Sequence, residues 1–233
     1  MILVIKHIAI EGPGTIEDYF RGRGFSIKTV ELSKRDALPV DLSDVEAVVS
    51  MGGPMNVYEE NEYPFLKEED IFLKEIIKEE IPFLGVCLGS QLLAKAAGAK
   101  VTKAPKSEIG WFKVSLTVDG KKDPLFKGLN EDFDVFQWHG DTFTIPANGK
   151  HLAEAADCRN QAFRVGRCAY GLQFHIEVTQ GIIEDWIKQN NYLVKGARNM
   201  LDEYPKIEKK FCRNANTIYE NFLKIMTARK IAV

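Results

Sequence analysis

Cys87 is the side chain best suited to act as a nucleophile, because of what stands on either side of it. It lies in Gly85-Val86-Cys87-Leu88-Gly89, a GxCxG pattern in which an apolar run from residue 82 to 86 gives way to helical spacing at Leu88, Leu92, Leu93 and Ala96. A sharp strand-to-helix turn lifts one side chain clear and tolerates no bulk two residues to either side, which is the geometry of a nucleophile elbow. A thiol at a helix N-terminus is favoured as thiolate, the form that attacks carbonyl carbon. With 18 glycines in 233 residues, four cysteines would carry two such glycines by chance at about 0.02 for average glycine usage. The pattern needs a base and an oxyanion site before it means catalysis.

Four histidines compete for the base: His7, His139, His151 and His175. His175 follows the apolar stretch Tyr170-Gly171-Leu172-Gln173-Phe174, and Glu177 stands two residues on. On extended backbone both side chains point to one face, so a carboxylate can fix the imidazole tautomer while the other ring nitrogen serves the thiol. The segment Met51-Gly52-Gly53-Pro54 supplies the oxyanion candidate, a loop whose glycines let backbone approach a ligand closely.

These residues require a scaffold, and the chain alternates strand and helix patterns that supply one. Strands are expected at residues 2–10, 25–30, 45–50 and 82–86, and helices at 15–23, 64–80 and 88–97. Gly98 would act as a left-handed cap. Alternation of this kind implies right-handed crossovers and a doubly wound, mostly parallel α/β sheet with ligands outside the carboxyl ends of its strands. The charged face of the 64–80 helix reads as solvated. Beyond residue 100 the runs shorten and alternate, at 112–118, 133–138, 151–155, 161–165 and 168–174, which predicts a small antiparallel layer. Two amphipathic helices, 182–201 and 207–225, close the chain with Pro205 between them. The expected organisation is one domain over 1–180 with a helical extension over 181–233 that packs on it or at a subunit interface.

Composition narrows the classes. A net charge of −2 and pI near 6.1 leave no basic footprint for nucleic acid. No apolar run reaches the roughly 20 residues of a membrane span. Residues 1–10 carry Lys6 and His7 and read as a first strand rather than a signal peptide. Cysteines at 87, 158, 168 and 212 form no CxxC pairs, so neither a metal nor a disulfide framework is expected and a reducing cytoplasm suits them.

The quoted elbow, with Gln173-Phe174-His175-Ile176-Glu177-Val178 and Gly52-Gly53-Pro54, resembles the class I glutamine amidotransferases over residues 1–180. Met51-Gly52-Gly53-Pro54 and Trp138-His139-Gly140-Asp141 are similar to the amidotransferase part of GMP synthase and its stand-alone relatives. The resemblance implies a flavodoxin-like fold and a Cys87–His175–Glu177 triad that hydrolyses the glutamine side-chain amide through a γ-glutamyl thioester. It also implies an oxyanion hole from the amides of Gly53 and Leu88, and substrate contacts from Gly52, Gln91, His139 and Asp141. No cofactor is implied. Ile176 departs from the family, which commonly has proline between the histidine and glutamate.

Neither a GxxxxGK[ST] nor an SGGxDS-like nucleotide loop occurs, so the ammonia acceptor would be activated on a separate ATP-dependent synthase subunit. The alternatives are a γ-glutamyl peptide hydrolase without a synthase, or a non-catalytic binding or redox-sensing protein on the same fold. Assembly into a homo-oligomer stays open.

Overall fold

The computed structural model describes residues 1–189 and 197–232. Nine strands form one sheet in the order β2-β1-β3-β4-β9-β8-β7-β5-β6. Its parallel part holds β1 (Ile2–Lys6), β2 (Ile27–Glu31), β3 (Ala47–Ser50), β4 (Phe83–Val86) and β9 (Ala169–Leu172). The antiparallel strands β8 (Ala162–Val165), β7 (Gly149–Glu154), β5 (Val101–Leu116) and β6 (Asp132–Phe143) continue the same sheet from β9.

Alternation along β1 shows how the sheet is sandwiched. Ile2 and Val4 join the core beneath α1 (Thr15–Arg21), while Leu3 and Ile5 face α2 (Phe65–Lys78) and α3 (Leu88–Ala96). The long helix α5 (Ala197–Ala232) lays Ile218, Tyr219, Phe222 and Met226 into the first of these cores. A third cluster joins Ile183, Trp186 and Ile187 of α4 (Gln180–Gln189) to Phe136, Met200, Tyr204 and Phe211.

Three boundaries differ from expectation. β1 ends at Lys6, so residues 7–14 form a loop at the carboxyl edge of the sheet. β5 begins at Val101, eleven residues before the alternating pattern, because its first half is held by long-range pairing to β6 across a bulge between Lys103 and Glu108. Pro205 lies inside α5 and does not divide two helices. Its ring only removes the N–H that would reach the carbonyl of Leu201. The helix expected over 182–201 crosses residues 190–196, which lie outside the described residues.

Candidate active site

β4 delivers Cys87 to the first residue of a turn that only a narrow backbone permits. Cys87 adopts φ 51°, left-handed for a residue with a side chain, and caps α3. A Cβ on Gly85 would lie 2.5 Å from the Gly89 carbonyl oxygen, and one on Gly89 would collide with the carbonyl of Ser50. Both glycines of the GxCxG pattern are therefore required by close packing of β3, β4 and α3. The Cys87 amide donates to the Leu172 carbonyl at 2.8 Å, which fixes the turn against β9.

His175 and Glu177 follow β9 at the same edge. His175 Nδ1 meets Glu177 Oε1 at 2.7 Å, and both side chains are about 1% exposed. The remaining ring nitrogen makes no hydrogen bond among the described residues, and the Cys87 thiol lies near enough to favour the charged imidazole. Burial works against a charged imidazole here, yet Glu177 and the Cys87 contact outweigh it and hold the His175 pKa well above its ordinary value. Trp186 packs edge-on against the ring at a centroid distance of 4.9 Å. Glu177 is oriented in turn by the Ile176 amide, which donates to its Oε2 at 2.9 Å. Proline at 176 could make no such bond, so the departure from the family pattern adds a donor.

The segment 175–177 is braced from behind. Thr15 donates to the Glu177 carbonyl through its amide at 3.1 Å and its hydroxyl at 3.3 Å, and Tyr219 Oη of α5 donates to the Ile176 carbonyl at 2.9 Å. The C-terminal helix thus touches the backbone that carries His175 and Glu177.

The oxyanion candidates also meet. A Cβ on Gly53 would lie 2.8 Å from Leu88 Cδ2 and 2.9 Å from His7 Cβ, so the loop after β3 abuts the start of α3. Neither the Gly53 nor the Leu88 amide donates a hydrogen bond among the described residues. The loop is pinned by a buried chain: His7 Nδ1 to the Gly52 carbonyl at 3.0 Å, His7 Nε2 to Glu69 Oε2 at 2.7 Å, and Ser50 Oγ donating to Glu69 Oε1 at 2.7 Å. Glu69 is 0% exposed, which corrects the expectation that all the charges of α2 are solvated.

A cavity of about 470 Å³ opens beside these groups, lined among others by Gly53, Gln91, His139, Asp141 and His175; Cys87, 6% exposed, lies behind that lining rather than in it. The Cys87 thiol donates to the Trp138 carbonyl at 3.8 Å, and Gln173 Nε2 donates to the sulfur at 3.9 Å. Gln91 Nε2 donates to Gln173 Oε1 at 3.2 Å and the Asp141 carbonyl at 3.4 Å. Asp141 pairs with Lys103 at 2.8 Å. His139 has both ring nitrogens engaged, Nδ1 with the Asp141 carbonyl at 2.8 Å and Nε2 with Glu108 Oε2 at 2.9 Å, so its imidazole forms wall rather than a free contact. A larger groove of about 1370 Å³, between α5 and residues such as Glu80, Lys127 and Arg167, holds none of the candidate residues.

The profile of the glutamine amidotransferase class-I family matches residues 14–193. The chain belongs to this family. It is similar to a glutamine amidotransferase-like protein, YfeJ, of Salmonella typhimurium, at 29% identity over 80% of this chain and 79% of that protein. It is also 33% identical to GMP synthase of Porphyromonas gingivalis, where the match covers 64% of this chain and only 28% of the synthase. Among solved structures, a glutamine amidotransferase of Thermotoga maritima shares 38% identity over 95% of this chain and 96% of its own, at TM-score 0.86. One from Methylobacillus flagellatus shares 26% over 96% and 94%, at TM-score 0.90.

In this class I amidotransferase, sequence reasoning missed Glu11, Glu69, Glu108 and Gln173. Glu108, His139 and Cys158 bring ligand-type atoms within 4.8 Å of one another, a convergence the cysteine spacing did not suggest. Their donors and acceptors are largely spent on each other and their surroundings: Glu108 Oε2 also accepts from Gln161 at 2.8 Å, and burial pushes the Cys158 thiol up. The cluster reads as a brace for residues 138–141, which are part of strand β6 rather than a loop. No helix among the described residues is long and apolar enough to cross a membrane.

Proposed function

We propose that the protein hydrolyses the side-chain amide of glutamine through Cys87, His175 and Glu177 and hands the ammonia to a separate synthase subunit. The observation that carries this reading is a buried Glu177–His175 pair whose second ring nitrogen is open beside the thiol of a strained elbow, near the amides of Gly53 and Leu88.

Cys87 Sγ attacks the amide carbon as its proton passes to His175. The carbonyl oxygen, now negative, takes hydrogen bonds from Gly53 and Leu88, each donor worth about 3 kcal/mol in comparable hydrolases. His175 returns the proton to the nitrogen, the C–N bond breaks, and ammonia departs, leaving a γ-glutamyl thioester on Cys87. Water then attacks the thioester while giving a proton to His175. Breaking the C–S bond restores the thiol and releases glutamate. Gln91 and residues 138–141 of β6, which line the cavity, hold the amino-acid end. Gly52 supports the oxyanion loop through its bond from His7.

A second reading, a γ-glutamyl hydrolase acting without a synthase, draws on the cavity running from His175 to Ile109 and Gln189, with room for a larger leaving group. Ammonia release from glutamine should be readily detected and should vanish in Cys87→Ala. Equal release by both proteins sinks the triad. A clear kcat/KM preference for γ-glutamyl peptides over glutamine moves the assignment to the second reading.

A further inference from the structure

Glu11 is a carboxylate in the candidate site that the proposed chemistry does not use. It leaves the loop between β1 and α1 and lines the same cavity as His175 and Gly53. Its position is tied to the base by Gly52: a Cβ there would collide with Glu11 Oε2 and would lie 3.2 Å from His175 Cε1. The absence of a side chain at Gly52 therefore makes room for a carboxylate at the edge of the imidazole. Among the described residues Glu11 makes no hydrogen bond and no ion pair. Burial, with Glu177 adding to it, pushes the Glu11 carboxyl up from its ordinary range, while the imidazoles of His175 and then His7 pull it back toward the ionised form. Among the described residues no lysine or arginine lines the cavity. Lys103 is held by Asp141, and Lys6 by Glu31.

The direction of the reaction gives Glu11 a partner. With the reacting carbon over Cys87, its oxygen at Gly53 and Leu88, and the amino-acid end toward Gln91 and residues 138–141, the departing nitrogen must face His175 to be protonated. Whatever is attached to that nitrogen extends past the imidazole edge toward Glu11. A carboxylate on that group would meet the carboxyl of Glu11, two like charges in a half-buried wall whose described residues offer only imidazoles to offset them.

We propose that Glu11 determines specificity by the charge of the leaving amine: ammonia and amines without a carboxylate depart readily, and γ-glutamyl peptides, whose leaving amine carries a carboxylate one carbon away, are selected against. The inference rests on the γ-glutamyl transfer reading above. It gives that reading a substrate class, uncharged or cationic leaving groups on a γ-glutamyl donor.

The test uses two donors that differ by one charge, γ-glutamylglycine and γ-glutamylglycinamide, with glutamine as reference. Release of glycine or glycinamide and of ammonia is followed for wild type and Glu11→Gln. Wild type should favour the glycinamide donor over the glycine donor by at least about tenfold in kcat/KM, and Glu11→Gln should bring the ratio to within about twofold of unity. Should Glu11→Gln fail to fold, Glu11→Asp, which retains the charge but withdraws it from the imidazole, should give an intermediate ratio. The wild-type preference should also shrink as salt is raised.

A wild-type ratio near unity or favouring glycine overturns the proposal, as does a ratio unchanged by the substitution. Equal loss on all three donors also overturns it, and would place Glu11 against the substrate's own α-ammonium. Failure of the wild type to release ammonia from glutamine, or anything from either donor, fells the underlying reading instead and is seen before any ratio is taken.

Discussion

His7–Glu69 and His175–Glu177 are the same pair in chemical terms, an imidazole 2.7 Å from a carboxylate with both partners out of water. They differ in what the second ring nitrogen meets. At His7 it is the carbonyl of Gly52, so the ring is consumed as a strut beneath the oxyanion loop. At His175 no hydrogen bond closes it, and the Cys87 thiol stands near the ring. Glu69 is further committed to Ser50, whereas Glu177 is committed to the Ile176 amide, one residue from the base. A buried histidine–carboxylate pair is thus no mark of catalysis by itself. His139–Glu108, also closed at both nitrogens, makes the point a third time.

The comparison predicts that the two pairs fail in different ways. His175→Asn should lower kcat for ammonia release by about 10⁴-fold or more, with little change in melting temperature, because the substitution removes the proton carrier and leaves the elbow intact. Glu177→Gln keeps the shape but reverses the favoured tautomer, and should cost about 10²- to 10⁴-fold in kcat at nearly constant KM.

His7→Asn should instead be read in denaturation, with a loss of about 3 kcal/mol from stranding the Glu69 carboxylate, and the surviving folded enzyme should retain kcat within about tenfold. A His7 variant that melts normally yet loses activity as completely as His175→Asn would break the distinction.

Stability against pH separates the pairs further. Both imidazoles have folded-state pKa values raised above their ordinary 6.5. The folded state therefore holds these protons more tightly than the unfolded chain. The stabilisation is complete below pH 6.5 and is lost as pH rises through the folded values. Urea unfolding across pH 6 to 9 should show this decline in wild type, and His7→Asn should remove the His7 share of it. The smallest effect belongs to the rear brace. Tyr219→Phe deletes the donation to Ile176 and the contact with Thr15, and should cost about 1 kcal/mol in unfolding with a severalfold drop in kcat.

The same comparison explains what was legible in the sequence. Cys87 announced itself because the turn that strains it also dictates its two glycines. His175 and Glu177 were legible because their relation is local, two residues on extended chain. Glu69 was not, since on α2 it is one of several glutamates among lysines, and only His7 and Ser50, brought over from β1 and β3, decide that it is buried. Glu11 was hidden inside the turn chemistry of Glu11-Gly12-Pro13-Gly14, and nothing local ties it to Gly52 or His175.

The parallel half of the sheet followed from apolar runs long enough to show their period, while the first half of β5 did not. Its mostly exposed residues from Thr102 to Ser107 lack an apolar face, and distant β6 pairs only with Val101 to Lys103 before the bulge and again from Glu108. Pro205 misled because a proline is a strong local stop, whereas the packing of α5 onto two cores is not local at all.

The central claim is that Cys87 carries the γ-glutamyl group. Rapid acid quenching of the enzyme during glutamine turnover, followed by mass spectrometry of its peptides, tests it directly. The account predicts a γ-glutamyl adduct on the peptide containing Cys87, absent in Cys87→Ala. An unmodified Cys87 in an enzyme whose ammonia release tracks glutamine consumption, with the adduct on Cys158, Cys168 or Cys212 instead, would contradict it.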